Sequence, residues 1–262
     1  MAIARFLLVV ARDYWGSSIS EATARAYGAR LQAVLPGGGL ALAAPPQYLL
    51  GPTVSPATVH SALYDFAAAS LRSLPSRAGD ARDVVLHVYM CGHGTQTPDV
   101  DGDEAALGAE GADGMDEAYM LPEGLVTDDD ITAALDEGVR AASRERPDQK
   151  RPLVVLVSDH CCSGSMLDRR PGLSYDWVSF GASGDDRDSY ATDEGHVMTL
   201  ALLGVLEGGG GGEGGEGGAG LSAAEVRDRL EATMRGSFLG ELQRPTVHAS
   251  EAGLEHRLRP FA

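Results

Sequence analysis

Cysteine is scarce in this chain: there are three, and two of them are adjacent, at Cys161 and Cys162. So small a set excludes a disulfide framework and points to thiol chemistry in a reducing, cytoplasmic setting. Positive charge is short as well, with 21 Lys and Arg against 38 Asp and Glu and a formal charge of -17. That balance opposes nucleic-acid binding, which needs basic side chains to displace phosphate counterions; a basic substrate or a cation suits it better. Lys150 is the single lysine, a bias shared with the Ala and Gly richness and given no functional weight. No uninterrupted apolar run reaches the roughly 20 residues of a membrane helix, so no membrane span is expected. The opening MAIARFLLVVARDYW lacks a basic leader and a small-residue cleavage site before Asp13, and reads as a buried strand rather than a secretory signal.

What is present is enough for one sizeable α/β domain. At 262 residues such a domain buries roughly three quarters of its unfolded surface. We expect a single domain over 1–262, a larger part to 170 and a smaller part from 171, and a monomer. Apolar runs bounded by turn residues at 5–10, 83–90 and 153–158 are short and nearly free of charge, as central strands of a parallel sheet are. Helical patterns at about 19–34, 56–74 and 128–143 separate them, with a further strand near 39–50. Later come a strand at 176–182, helices at 194–206 and 221–235, and a strand near 245–249. Ser222 and Glu225 make a capping box for the second of these helices, and the glycine-rich 208–220 is a loop between them. A mostly parallel sheet with helices on both faces follows.

Two loops carry chemistry. The strand 83–90 runs into Cys91-Gly92-His93-Gly94-Thr95-Gln96, and the strand 153–158 into Asp159-His160-Cys161-Cys162-Ser163-Gly164. Functional groups of an open α/β sheet collect beyond the carboxyl ends of its strands, so if these strands are neighbours His93 and Cys161 face one crevice. A thiol attacks as thiolate, and an imidazole can take its proton and return it to a leaving amine. Glycines beside His93 leave room for a substrate backbone, and a backbone N–H in the cysteine loop can meet an oxyanion.

YMCGHGTQ at 89–96 and SDHCCSGSMLD at 158–168 resemble the Y-x-S-G-H-G-[ST]-Q and F-D-x-C-H-S-G-x-x-x-D motifs of metacaspases, the calcium-dependent, Arg/Lys-directed relatives of caspases. DGMDEAYMLPEGLVTDDDI at 113–131, SGDDRDSYA at 183–191, MTLALL at 198–203 and QRPTVHAS at 243–250 are similar to further family segments, so the likeness runs from about 83 onward. It implies a caspase-like (caspase-hemoglobinase) fold, His93 as general base and Cys161 as the nucleophile of an endopeptidase. Cys91 stands for the family's serine, Cys162 for its histidine and Arg187 for its glutamine. The resemblance also implies a pocket for Arg or Lys from Asp159, Cys91 and Asp186, with Asp185 and Asp188 competing for the last place. It implies a calcium site from Asp116, Asp128, Asp129 and Asp168, the ion ordering loops rather than entering the chemistry. Without the resemblance, Asp128 to Asp130 also read as helix-capping acids. The competing reading is a catalytically silent caspase-like protein that binds or regulates partners, for which the substitutions at Cys91 and Cys162 speak.

Overall fold

The apolar run that opens the chain forms β1 (Ile3–Ala11), buried beyond its first residue. The computed structural model describes residues 3–12, 20–34, 42–74, 83–100, 114–167, 170, 172–208, 221–235, 243–250 and 253. After β1 come α1 (Glu21–Val34), β2 (Gln47–Leu50), α2 (Pro56–Arg72), β3 (Asp83–Cys91), β4 (His93–Pro98), β5 (Met115–Leu121) and β6 (Gly124–Thr127). Then follow α3 (Asp128–Glu145), β7 (Leu153–Asp159), β8 (Asp176–Gly181), β9 (Ala191–Thr192), β10 (Gly195–His196), α4 (Val197–Gly208), α5 (Ala223–Arg235) and β11 (Thr246–Ala249).

Six strands make the central sheet in the order β11-β8-β7-β3-β1-β2. All are parallel except β11, which runs antiparallel to β8. Successive side chains of a strand point to opposite faces, and both faces here are apolar. On one of them Leu86, Val88 and Leu156 share a cluster with Leu63 of α2 and Leu135 of α3. On the other, Leu7, Val85 and Val155 share a cluster with Leu31, Leu202 and Leu230 of α1, α4 and α5. Each such side chain, fully buried, contributes about 1.5–3 kcal/mol, which is why β-branched runs with few charges occupy the middle of the sheet. The mostly parallel sheet covered on both faces is the architecture expected from the sequence.

Local chemistry fixes the helix starts. Ser55 and Thr58 form a reciprocal capping box at α2, with Pro56 in the first turn. Thr127 and Asp130 do the same at α3, and Ser222 and Glu225 at α5. Three differences from expectation stand out. Of the strand sought over 39–50, the described residues, which begin at 42, form Gln47–Leu50, on the sheet edge beside β1. The segment after the histidine loop builds a second, antiparallel sheet in the order β4-β5-β6, whose outer strands β4 and β6 are half-exposed and lack the apolar runs that mark the central sheet. The helix expected from 194 starts at Val197, because Asp193 and Glu194 form the turn of the β9–β10 hairpin and Gly195 and His196 pair with β9. The glycine-rich stretch expected as a loop lies, past Gly208, outside the described residues. No helix among the described residues is long and apolar enough to cross a membrane.

Candidate active site

β3 and β7 are neighbours, with Cys91 opposite Asp159, so their loops leave the sheet at the same end. β3 ends at Cys91, Gly92 turns the chain, and His93 begins β4. Tyr119 of β5 holds that turn: its hydroxyl donates to the Cys91 carbonyl at 2.8 Å and accepts from the Arg12 backbone N–H at 3.1 Å. A Cβ at Gly92 would press on the same phenol.

The two loops meet at Gly94. A Cβ there would run into the Cys161 carbonyl oxygen and into His160 Nδ1. The room expected for a substrate backbone is therefore taken, at this glycine, by the Cys161 peptide itself. Backbone atoms yield little, so Gly94→Ala is expected to destabilise the protein by about 1–3 kcal/mol. At roughly 2–4 °C per kcal/mol for a chain of this size, a thermal melt should fall by about 5 °C; an unchanged melt would contradict the close approach.

Cys161 is half-buried. The Ser189 backbone N–H donates to its Sγ at 3.3 Å, and the Ser189 hydroxyl lies 4.0 Å from it. Burial pushes the thiol pKa up; the Ser189 hydrogen bonds oppose this, and the nearby Asp188 carboxylate adds to the rise. Such a thiol is protonated at rest and needs a base to become a nucleophile. The backbone N–H of Cys162 is committed to the Arg187 carbonyl at 2.9 Å, and the Cys162 thiol is pushed up to about 11, first by burial.

His160, between Asp159 and Cys161, packs inward. Its Nδ1 lies 2.8 Å from the Cys161 carbonyl oxygen, and its ring is 5.5 Å from that of Tyr119. Burial drives its pKa down to about 4 from 6.5, so at neutral pH the ring is neutral and Nδ1–H donates to the carbonyl. The unfolded chain therefore binds more protons than the native one between these two values, and stability must fall as pH drops through that window. His87, buried in β3, is pushed lower still, to about 3, and acts in the same direction. Urea titrations should lose about 3 kcal/mol for His160 alone between pH 7 and 4. His160→Asn should flatten the slope; an identical slope in that variant would contradict a neutral buried imidazole.

Beneath the loops, Asp159 is fully buried. Its Oδ2 accepts from the Thr199 backbone N–H at 2.8 Å and from the Thr199 hydroxyl, and its Oδ1 lies 3.3 Å from His196 Nδ1. Thr199 is the third residue of α4, so Asp159 caps that helix from another element. Cys91 is also fully buried, in the apolar cluster under α1, α4 and α5, and burial pushes its thiol up. Asp186 is on the surface, its side chain 80% exposed and 3.6 Å from the Arg187 guanidinium. The structure thus does not bring these three expected pocket residues to one surface. The acids nearer the thiols are Asp188, Asp185 and Glu117. Glu117, buried in β5, accepts from Gln96 Nε2 at 3.2 Å and from the Ser165 hydroxyl. Tyr119, His160, Ser189, Thr199 and Glu117 carry no sequence signal that singles them out; each is defined by a partner on another element.

No family model matches the chain, and no curated protein matches it either. Among solved structures it is similar to protein GSU0716 of Geobacter sulfurreducens, with a TM-score of 0.62 and 16% identity over 97% of each chain. It is also similar to caspase-1 of Spodoptera frugiperda, with a TM-score of 0.50 and 11% identity over 94% of this chain and 85% of that one. The fold is caspase-like. At these identities the likeness is one of fold.

Of the four aspartates expected to hold calcium, Asp116 on β5 and Asp128 at the start of α3 are buried. The antiparallel pairing of β5 with β6 carries Asp116 alongside the first turn of α3. Asp128 accepts from the Asp129 backbone N–H at 3.0 Å, and Asp129 is ion-paired with Arg170. Asp168 lies outside the described residues. Among the described residues no three His, Cys, Asp or Glu side chains gather to hold a metal ion. Calcium takes six to eight oxygen ligands, and of the described candidates Asp129 is engaged by the Arg170 guanidinium.

Proposed function

We propose that this protein is a cysteine endopeptidase of metacaspase type that cleaves peptide bonds after Arg or Lys, with Cys161 as nucleophile and His93 as base and then acid. The observation that carries the reading is the contact at Gly94, where the loop that begins with His93 lies against the Cys161 peptide at the carboxyl ends of two adjacent parallel strands. His93 takes the Cys161 proton, the sulfur attacks the scissile carbonyl, and the imidazolium returns the proton to the leaving amine, leaving a thioester that water hydrolyses. Preference for a cationic side chain is supported by the net charge of -17 and by Asp185, Asp186 and Asp188 on the loop that runs past the thiol. Asp159, being buried, would act on such a pocket through its charge from below.

Calcium activation and a cytoplasmic setting belong to the same proposal. The calcium part is supported by the residue chemistry of Asp116, Asp128 and Asp129, hard oxygen donors at one end of the small sheet, together with Asp168. No catalytic step is assigned to the ion. The test is cleavage of fluorogenic Arg, Lys and Asp peptides by the wild-type chain, with calcium and with chelator. Expected is hydrolysis after Arg and Lys that the chelator suppresses. Hydrolysis after Asp would overturn the specificity, indifference to chelator would remove calcium, and inactivity under every condition would favour a silent caspase-like binder.

A further inference from the structure

Cys161 and Cys162 are both partly exposed, whereas Cys91 is sealed in the apolar cluster beneath them. In an extended segment two successive side chains point to opposite faces, and neighbouring thiols would be kept apart. Cys162 breaks that alternation: its φ is +48, and it is the one non-glycine residue in the left-handed region among the described residues. Its amide is pinned to the Arg187 carbonyl and the Cys161 sulfur to the Ser189 N–H, so the dipeptide is held in this turn from outside. Each thiol lies within the other's electrostatic reach, since the Cys161 sulfur raises the Cys162 pKa. Strain of this kind in a non-glycine residue persists only where the surroundings impose it, and it collects at functional positions.

We propose that Cys161 and Cys162 form a vicinal dithiol that is a modification site for hydroperoxides, closing reversibly to a disulfide. In the first step the Cys161 thiol gives up its proton, through a base, to the departing oxygen as its sulfur attacks the terminal peroxide oxygen; the O–O bond breaks, an alcohol or water leaves, and Cys161 becomes a sulfenic acid. In the second the Cys162 sulfur attacks Cys161; the S–O bond breaks, an S–S bond forms and water leaves. Two thiols are oxidised by two electrons, and the hydroperoxide is reduced. Adjacent Cα atoms are about 3.8 Å apart, shorter than the roughly 4.4–6.8 Å of an unstrained disulfide. The bond is therefore strained and easily reduced, as reversible rather than structural disulfides are. Its consequence for activity rests on the peptidase reading: closure removes the nucleophile and shields it from the irreversible sulfinic and sulfonic acids.

The test treats the full chain with hydrogen peroxide in the presence of dimedone and reads the mass of the peptide that carries both cysteines. In the wild type this peptide should lose two hydrogens and take little dimedone, and dithiothreitol should restore the free thiols. In Cys162→Ser the sulfenic acid should persist, giving a dimedone adduct on Cys161 and, with more peroxide, a sulfinic acid. Cys162→Asn, which suits a left-handed residue, repeats the comparison should the serine variant fold poorly. Equal dimedone labelling of wild type and variants would overturn the proposal. So would loss of two hydrogens that survives in both variants, or a wild-type Cys161 that peroxide leaves unmodified. Closure in a chain without peptidase activity would sink the peptidase reading and leave the dithiol standing; activity without closure would do the reverse.

Discussion

Cys161→Ala is expected to lower kcat/KM toward Arg and Lys peptides by roughly four to six orders of magnitude, and His93→Ala by a comparable amount. The thiol sits where burial and the Asp188 carboxylate both disfavour its ionised form, so in the proposed dyad it would depend on a base supplied by the other loop. Residues that act as one unit are not additive: the double variant should be no slower than the slower single one. If the two losses multiplied, His93 and Cys161 would be acting separately and the dyad would fail. Cys162→Ala should stay within about tenfold of wild type, a change of under about 1.4 kcal/mol in the barrier, because the Cys162 amide, which the substitution keeps, is what ties the loop to Arg187. Activity that survived Cys161→Ala but not Cys162→Ala would move the nucleophile by one residue.

The central sheet was legible in the sequence because its strands are buried on both faces. Runs such as DVVLHVYM and LVVLVS need no partner to be recognised. The small sheet was not, since HGTQTP and GLVT are half-exposed and owe their strand conformation to pairing with MDEAYML between them. The same division holds at the site. His93 and Cys161 stand out because each follows an apolar strand, and the sheet does bring their loops together. What the sequence hides is the support: Tyr119 under the Cys91 carbonyl, Ser189 on the Cys161 sulfur and Thr199 on Asp159 all come from distant segments. Asp159 is the instructive case. The resemblance to metacaspases assigns it to a pocket, whereas its hydrogen bonds tie it to the start of α4.

Those bonds make Asp159→Ala the substitution with the largest expected effect on stability. Oδ2 satisfies a backbone N–H of the first turn of α4 and the Thr199 hydroxyl, and Tyr89 donates to or accepts from that same hydroxyl at 2.7 Å. Truncation leaves the Thr199 N–H and hydroxyl buried without their acceptor and removes a negative charge from a helix N-terminus. Breaking a buried, hydrogen-bonded ionic group on one side costs about 3–5 kcal/mol, or about 10 °C in a thermal melt at this chain length. Asp159→Asn separates the two tasks of the carboxylate. Its amide oxygen still accepts from Thr199, so most of the stability should return, while the charge is gone. If that charge acts on the substrate pocket from below, KM for Arg and Lys peptides should rise in Asp159→Asn with the melt nearly restored. If KM is unchanged in that variant, Asp159 is a helix cap alone, and the selection of cationic side chains must come from the surface acids of the 185–188 loop.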